Sequence, residues 1–397
     1  MVWNVLKNIA LFLFVFGVIN DDFVVDRIAG ENALKIIFVF FFLVNIKEFL
    51  QDILKPKNST MKLFYLFFFT LAVVTFVDVV LGLVALNKAL MVLVPIIVTF
   101  VYVSYYDSFE KLLYFIWVSM VFSAIVAVFS DPITQWTFRK TGGTGDPNEF
   151  AAQLLVTIGI TIYLFMKNKN QLFLWSSLLL FAYTLVYAGS KSSFLTLGIL
   201  VIFTMLTKFS DLLKKMFSLK VFVALLIVLG GLSYFNVMQS AAVKGIEKRA
   251  QSSGTAKTRF VSWNAGVRMS EENFLTGVGV ENYEKNVKRY ATDFIAEGSY
   301  APHNFLIKII AESGIFPFIA MLLFLILLFT SEYKSIVTSE YFWIYLSALS
   351  VVLMGLTLSM SYEKYFWLFL GLLSHVNLLF WMKHQEEFRI ENNAYIA

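Results

Sequence analysis

One long polar segment interrupts this chain at residues 239–302, which read QSAAVKGIEKRAQSSGTAKTRFVSWNAGVRMSEENFLTGVGVENYEKNVKRYATDFIAEGSYAP. It ends at Pro302-His303-Asn304, where the next hydrophobic run begins. The runs on either side are strongly apolar and approach the ~20 residues that a helix needs to cross a bilayer. Polar side chains concentrated at one place in such a chain predict the site of chemistry or recognition.

The composition favours a membrane protein over a soluble one. Hydrophobic residues make up 59% of the 397 residues and charged residues only 15%. The chain has no cysteine, which excludes disulfides and thiolate metal sites. Its three histidines, His303, His375 and His384, have no metal-ligand spacing. We therefore expect no metal or other cofactor, and we expect no nucleic acid among the partners.

Apolar runs predict an all-α, polytopic integral membrane protein of about 12 transmembrane helices. These runs cover residues 3–19, 33–50, 63–81, 83–105, 112–129, 149–166, 172–188, 192–207, 221–238, 304–330, 341–360 and 365–382. Four regions follow: helices 1–9 in residues 1–238, one large extracytoplasmic loop at 239–302, helices 10–12 in 303–382, and a tail at 383–397. The first run is followed by Asn20-Asp21-Asp22 rather than a cleavage site, which indicates a retained helix.

Basic residues are concentrated in alternate loops, which predicts the orientation. One set of loops holds ten lysines: Lys47, Lys55, Lys57, Lys62, Lys167, Lys169, Lys208, Lys214, Lys215 and Lys220. The positive-inside rule places this set in the cytoplasm. Both termini are then cytoplasmic, and the large loop faces outward.

The large loop itself shows helical periodicity. Aromatic and aliphatic residues recur at helical spacing in two groups, one of Phe260, Trp263 and Val267, the other of Tyr283, Val287, Tyr290 and Phe294. The sequence Thr-Gly-Val-Gly at 276–279 lies between them and predicts a turn. Two short amphipathic helices lying over the outer membrane face would fit this pattern.

His303 is the first candidate for chemistry. Pro302 suits the first turn of a helix, which would place the imidazole at a helix N-terminus. The helix dipole there favours the neutral ring, which can act as a base near neutral pH. The alternative is an interfacial histidine that only hydrogen-bonds the loop.

Arg259 and Arg268 share a predicted helix and could bind phosphate in bidentate fashion, or they could form a solvated basic face.

Three further segments carry candidate residues. Lys191 lies in a small-residue break between two spans, either as a functional charge or as a lysine that snorkels to the interface. The glycine-rich segment 141–149 predicts a helix start capped by Asp146, with Pro147 first and Glu149 closing a capping box. It could also bind an anion, so Asp146 and Asn148 are candidate substrate contacts. Asn304 beside His303 is another. Glu312 interrupts the tenth span, as in transporters or as a simple kink.

Six short motifs, taken in order, resemble the O-antigen ligase and O-antigen polymerase family of bacterial envelope glycosyltransferases. They are GDPNEFA at 145–151, GSKS at 189–192, RFVSW at 259–263, FLTGVG at 274–279, PHNFL at 302–306 and AESG at 311–314. The resemblance covers about the second half of the chain, together with the layout of spans and one large outer loop.

The resemblance implies a bacterial plasma-membrane enzyme with a GT-C-like fold, working outside the cytoplasm without a metal. It would transfer a glycan from undecaprenyl diphosphate to a sugar hydroxyl of an acceptor glycan or of a lipid A-core. By position, His303 would be the catalytic base and Arg259 would hold the diphosphate. Lys191 stands where the family commonly has arginine, and it would be a second diphosphate contact. Membrane lipid, a chain-length regulator and a flippase are further expected partners.

Four functional readings remain open from the sequence. A polymerase that joins repeat units of a surface polysaccharide is preferred, and a ligase that transfers glycan to lipid A-core shares the same motifs. The third is a non-catalytic scaffold of an envelope assembly complex. The fourth is a transporter or flippase, with Lys191 and Glu312 lining a path. No internal repeat supports the transporter.

Overall fold

The computed structural model describes residues 2–26, 31–53, 56–130, 140–167, 171–216, 254–292 and 300–396. Throughout these ranges the regular elements are helices, and no strand occurs in them. The predicted all-α class is therefore confirmed. The predicted ninth span at 221–238, the start of the polar segment and Phe294 lie outside the described residues.

Seventeen α-helices make up the described part of the chain. They are α1 (Val2–Ile19), α2 (Asp21–Val24), α3 (Glu31–Val44), α4 (Ile46–Ile53), α5 (Ser59–Val80), α6 (Leu86–Tyr105), α7 (Phe109–Phe129), α8 (Pro147–Met166), α9 (Gln171–Ala188), α10 (Lys191–Met216), α11 (Gly254–Glu272), α12 (Tyr283–Tyr290), α13 (Phe305–Ser313), α14 (Ile315–Thr330), α15 (Tyr333–Val337), α16 (Phe342–Gly355) and α17 (Lys364–Ile396). A short 3₁₀ turn, Met360–Tyr362, precedes α17.

Most predicted spans correspond to long apolar helices. Seven helices among the described residues, α5 to α10 and α17, are long and apolar enough to cross a membrane. Four shorter apolar helices, Trp3–Ile19, Asn32–Val44, Ile315–Thr330 and Phe342–Gly355, coincide with four further predicted spans. Large apolar side chains face outward, including Phe129 at 84% exposure and Leu172 at 78%. An exposed apolar surface of this kind suits lipid and not water. The chain is a polytopic membrane protein.

Close helix packing and aromatic contacts hold the spans together. Phe64 of α5 stacks on Phe100 of α6 with ring centroids 3.9 Å apart, and Trp367 of α17 stacks on Phe67 at 5.4 Å. Between α8 and α16 the hydroxyl of Ser347 donates to the Val156 carbonyl at 2.8 Å. Small residues and interhelical hydrogen bonds of this type are the usual means of helix association in lipid.

The tenth predicted span is broken into α13 and α14 at Gly314. Gly314 has φ +76°, and a Cβ there would lie 2.3 Å from the Leu275 carbonyl oxygen. Only glycine fits this position without strain. The 16 residues of α14 rise ~24 Å, less than the ~30 Å of a bilayer core, so α13 accounts for the remaining part of the predicted span.

The loops separate into two ends of the helix bundle, as the alternating charge pattern predicts. At one end the Phe23 amide donates to the Gly143 carbonyl at 3.1 Å, and the Asn282 side chain donates to the Leu83 carbonyl at 2.9 Å. At the opposite end Lys7 pairs with Glu48 at 2.5 Å. His303 lies at the first end, which is called the His303 end below.

Candidate functional site

Helices α11 and α12 form a small hydrophobic unit at the His303 end. The inward faces of both helices pack together and against α13, through Val261, Ala265, Met269, Tyr283, Val287 and Tyr290 with Ala311. The predicted spacing of Tyr283, Val287 and Tyr290 is thus that of a buried face. The other predicted stripe is exposed, with Phe260 at 62% and Val267 at 46%. The prediction of two helices in this loop is confirmed for the described residues.

A glycine turn joins this unit to α13. The Val278 amide donates to the Ala311 carbonyl at 2.9 Å, and the Gly279 amide donates to the Glu312 carbonyl at 3.0 Å. Gly277 has φ +72°, and a Cβ there would lie 2.3 Å from the Glu312 carbonyl carbon. The two backbones approach too closely for any side chain, which explains why glycine is required at this point.

His303 occupies a strained position just before α13. Its φ is +48°, which is uncommon for a residue other than glycine. Its amide donates to the Ser359 hydroxyl at 2.9 Å, which ties it to the loop before α17. The prediction that Pro302 lies in the first helical turn is wrong, because α13 begins at Phe305 with Asn304 as its N-cap. A strained backbone held by its surroundings is typical of functional positions.

Side chains of α11 hold the segment before His303 in place through hydrogen bonds. The Trp263 indole N–H donates to the Pro302 carbonyl at 2.6 Å, and the Ser262 hydroxyl donates to the Ala301 carbonyl at 3.2 Å. The hydroxyl of Tyr283 donates in turn to the Ser262 carbonyl. Arg259 and Trp263 are four residues apart and so share a helix face. These positioning contacts were not predicted from the sequence, where Trp263 appeared only as part of an aromatic stripe.

Arg259 and His303 act on each other electrostatically. Burial lowers the pKa of Arg259, and its Nε is buried without a hydrogen-bond partner. Burial lowers the pKa of His303 as well, and the Arg259 charge lowers it further, while the Asp146 charge raises it. Burial and the Arg259 charge therefore both favour the neutral imidazole, and the guanidinium keeps a buried donor without a partner.

Several polar groups of the glycine-rich segment before α8 form hydrogen bonds within the segment and with the start of the helix. Asp146 caps α8 by accepting from the Asn148 amide at 2.5 Å and the Glu149 amide at 3.3 Å, and Pro147 takes the first helical position. The Asp146 amide donates to the Thr144 carbonyl at 2.6 Å, so the bond that would close the predicted capping box is taken by the loop. The Asp146 carboxylate therefore acts as a helix cap, and anion binding by this segment stays a prediction.

The remaining predicted site residues lie in different parts of the structure. Arg268 is exposed, and nine residues after Arg259 it falls on the opposite side of α11. Lys191 is the first residue of α10 and is exposed. Asn304 caps α13, accepting from the Leu306 amide at 3.0 Å and the Ile307 amide at 3.1 Å. The substrate contacts predicted for these residues and for Asn148 stay predictions.

Glu312 lies in a buried charged network away from the His303 loop. Its Oε1 accepts from the Tyr283 amide at 2.9 Å, so it holds the start of α12. Its Oε2 is buried without a hydrogen-bond partner, and the Lys308 charge acts on it. Lys308 also pairs with Glu281 at 2.6 Å. This arrangement indicates a structural tie between α12 and α13.

No group of His, Asp or Glu side chains in the described ranges could hold a metal ion.

A family model described as O-antigen ligase matches residues 176–325. Over these residues the chain is similar to the O-antigen ligase family. This match supports the O-antigen ligase and polymerase family predicted from the sequence motifs. The matched segment includes Lys191, Arg259, His303 and Glu312, whereas Asp146 precedes it. A search of curated proteins finds no match to the chain.

Proposed function

We propose that this protein transfers a glycan from an undecaprenyl-diphosphate carrier to a sugar hydroxyl of an acceptor, as a repeat-unit polymerase in surface polysaccharide assembly. The match of residues 176–325 to the O-antigen ligase family model supports a role in glycan assembly. The finer proposal is supported by the partly buried position of His303, by the Arg259 charge that acts on it and lowers its pKa, and by the Nε of the half-buried Arg259, which has no hydrogen-bond partner.

The proposed reaction needs one base and one group that stabilises negative charge. The acceptor hydroxyl oxygen forms a bond to the anomeric carbon of the donor glycan, and the bond from that carbon to the diphosphate oxygen breaks. The hydroxyl proton passes to His303, and the electron pair leaves on undecaprenyl diphosphate. A diphosphate is a good leaving group once its charge is neutralised, so Arg259 supplies what the departure requires.

The proposal also states where in the membrane the reaction takes place and which partners it has. The carrier is a membrane lipid, so the site must lie at a bilayer surface, and the His303 end meets this requirement. We place that end on the outer face of the bacterial plasma membrane with both termini cytoplasmic, because the lysine-rich loops lie at the opposite end. Lys191 is the proposed second diphosphate contact, and a flippase and a chain-length regulator are proposed partners.

A ligase that transfers the glycan to lipid A-core is the second candidate. The description of the matching family model favours it. Both candidates use the same donor and the same base, and they differ only in the acceptor.

Glycan laddering on a gel tests the proposal. A deletion strain is complemented with wild type, His303→Ala or Arg259→Ala, and the membrane level of each variant is measured. His384→Ala and Arg389→Ala are matched controls, because both residues are exposed on α17 and neither is a candidate site residue. The two site variants should lose transfer, and the two controls should keep it.

The pattern of the loss separates the candidates. Loss of long chains with single repeat units still attached supports the polymerase. Loss of all attached glycan, with lipid-linked polymer accumulating, supports the ligase. A normal ladder in His303→Ala would refute its role as the base, and an unchanged ladder in the deletion strain would refute glycan transfer altogether.

A further inference from the structure

A polar cavity of about 460 Å³ lies at the end of the helix bundle opposite His303. Its walls come from the start of α1, the junction of α3 and α4 together with α4 itself, the segment before α5, the end of α6 and the start of α7. The ion pair between Lys7 and Glu48 forms part of the wall. The proposed glycan transfer takes place at the His303 end and gives this cavity no role.

Two lysines on the wall of the cavity contact neutral groups. The Lys111 Nζ donates to the side-chain oxygen of Asn8 at 3.1 Å, and the Lys57 Nζ lies 4.8 Å from the centroid of the Tyr105 ring. Neither lysine forms an ion pair with a carboxylate in the described part of the chain. Both positive charges can therefore attract an anion into the cavity.

The charges on the wall do not cancel. Lys7 is neutralised by Glu48, because their side chains lie 2.5 Å apart. Asp107 is the other carboxylate that lines the cavity, and it stands against the two lysines Lys57 and Lys111. Three positive and two negative side chains thus line the cavity. The remaining single positive charge matches the single negative charge of a phosphodiester.

Buried, hydrogen-bonded polar side chains form one wall of the cavity. The Tyr102 hydroxyl donates to the Asn45 Oδ1 at 3.3 Å, and the Asn45 amide group donates to the Phe41 carbonyl at 2.9 Å. The Tyr105 hydroxyl accepts from the Lys57 backbone amide at 3.2 Å. Tyr102 and Tyr105 are each 8% exposed, and Asn45 is 3% exposed. A wall held in this way is preformed, which lowers the cost of ordering it when a ligand binds.

Helix α4 separates the cavity from an apolar surface. Glu48 and Gln51 line the cavity, whereas Ile46 and Leu50 are exposed. At 100° per residue the two pairs fall on opposite sides of the helix. A short helix with one polar and one exposed apolar side is typical of the boundary between lipid and water. The cavity therefore opens at the level of lipid headgroups.

Helix α3 continues the apolar surface away from the cavity. Ile36, Val39 and Leu43 are exposed large hydrophobic residues, and their spacing places them on one side of α3. This row leads to the junction with α4, where Asn45 lines the cavity. A ligand that combines a phosphate group with acyl chains would fill the cavity and cover this row at once.

We propose that the cavity binds the headgroup of an anionic membrane phospholipid. The phosphate accepts hydrogen bonds from the Nζ atoms of Lys57 and Lys111, and the acyl chains lie against the exposed sides of α3 and α4. Basic pockets between membrane helices bind anionic headgroups in this way. The binding does not depend on the proposed glycan transfer, since it occupies the leaflet opposite the His303 end.

Native mass spectrometry of the full chain in detergent tests this assignment. Phosphatidylglycerol, which is anionic, and phosphatidylcholine, which has no net charge, are titrated separately with identical acyl chains. The dissociation constant of the first bound lipid is measured for each. Glycerol 3-phosphate, which carries a phosphate without acyl chains, separates a lipid from a free phosphate compound.

Three double variants are compared with wild type. Lys57→Gln/Lys111→Gln removes the two charges, and Lys57→Arg/Lys111→Arg keeps them. Lys334→Gln/Lys383→Gln is the matched control, because both of these lysines are exposed and lie outside the cavity. The single variants Lys57→Gln and Lys111→Gln should each remove part of the lipid preference, which provides the same test if the double glutamine variant does not fold.

Wild type should bind phosphatidylglycerol at least about tenfold more tightly than phosphatidylcholine, because two basic side chains attract its net charge. The double glutamine variant should lose most of this preference, and the arginine variant and the control should keep it. Equal affinities in wild type would overturn the assignment, as would a preference that survives Lys57→Gln/Lys111→Gln or is lost in the control. Glycerol 3-phosphate binding as tightly as phosphatidylglycerol would assign the cavity to a soluble phosphate compound and refute the lipid.

Discussion

Replacing Gly277 with alanine tests how the loop that carries Arg259 is held on the membrane helices. Gly277 has φ +72°, and an added Cβ would meet three backbone atoms, the carbonyl carbon and oxygen of Glu312 at 2.3 and 2.5 Å and the amide nitrogen of Ser313 at 2.6 Å. Backbone atoms cannot rotate away as a side chain can. Either the turn or the end of α13 must therefore move.

Gly82 provides a matched control for the backbone part of the cost. Its φ is also +72°, but an added Cβ there would meet nothing within 4 Å. The left-handed conformation costs alanine about 1–2 kcal/mol, partly offset because alanine restricts the unfolded chain by ~0.4–1 kcal/mol. Both variants share these contributions. The steric contact adds ~1–3 kcal/mol at Gly277 alone, and more if the backbones cannot relax.

Thermal unfolding of the purified variants in lipid nanodiscs measures this difference. Gly277→Ala should lower the midpoint by several degrees more than Gly82→Ala. It should also reduce glycan transfer, because the turn connects α11 and Arg259 to α13. Equal midpoints for the two variants would show that the turn yields freely and would refute the close docking of the two backbones.

Two further predictions concern His303 and its neighbour Asn304. A catalytic base must be unprotonated. Because the pKa of His303 is lowered below the ordinary 6.5, the rate of glycan transfer should not change near neutral pH and should fall only in more acidic buffer. Arg259→Gln should raise the pKa of His303, measured by NMR titration of the three histidines, and an unchanged value would contradict the coupling. Asn304→Ala should cost ~1 kcal/mol of stability through loss of the α13 cap, while Asn304→Asp should keep most of it. If Asn304→Asp is stable but inactive, Asn304 contacts substrate.

The candidate site could be predicted from the sequence only in part. Arg259 and His303 were predicted because a guanidinium and an imidazole in the polar segment of an apolar chain carry a chemical meaning by themselves. Ser359 could not be predicted, because a serine beside the penultimate span has no signal until its hydroxyl is seen to accept from the His303 amide. Glu312 was predicted as a functional charge, and that role stays a prediction; its contact with the Tyr283 amide, which ties α12 to α13, could not be predicted.

The sequence by itself determined the helical class, the positions of the spans and the separation of the loops into two sets. These properties depend on local composition, because a bilayer requires ~20 apolar residues per span and the charge bias acts loop by loop. The tertiary structure decided which loops meet at the His303 end. Arg259 of α11, Asp146 of the α8 loop and Ser359 are far apart along the chain, and helix packing alone brings them to His303. The two charges of opposite sign that act on the His303 imidazole follow from that packing and are not encoded in any single segment.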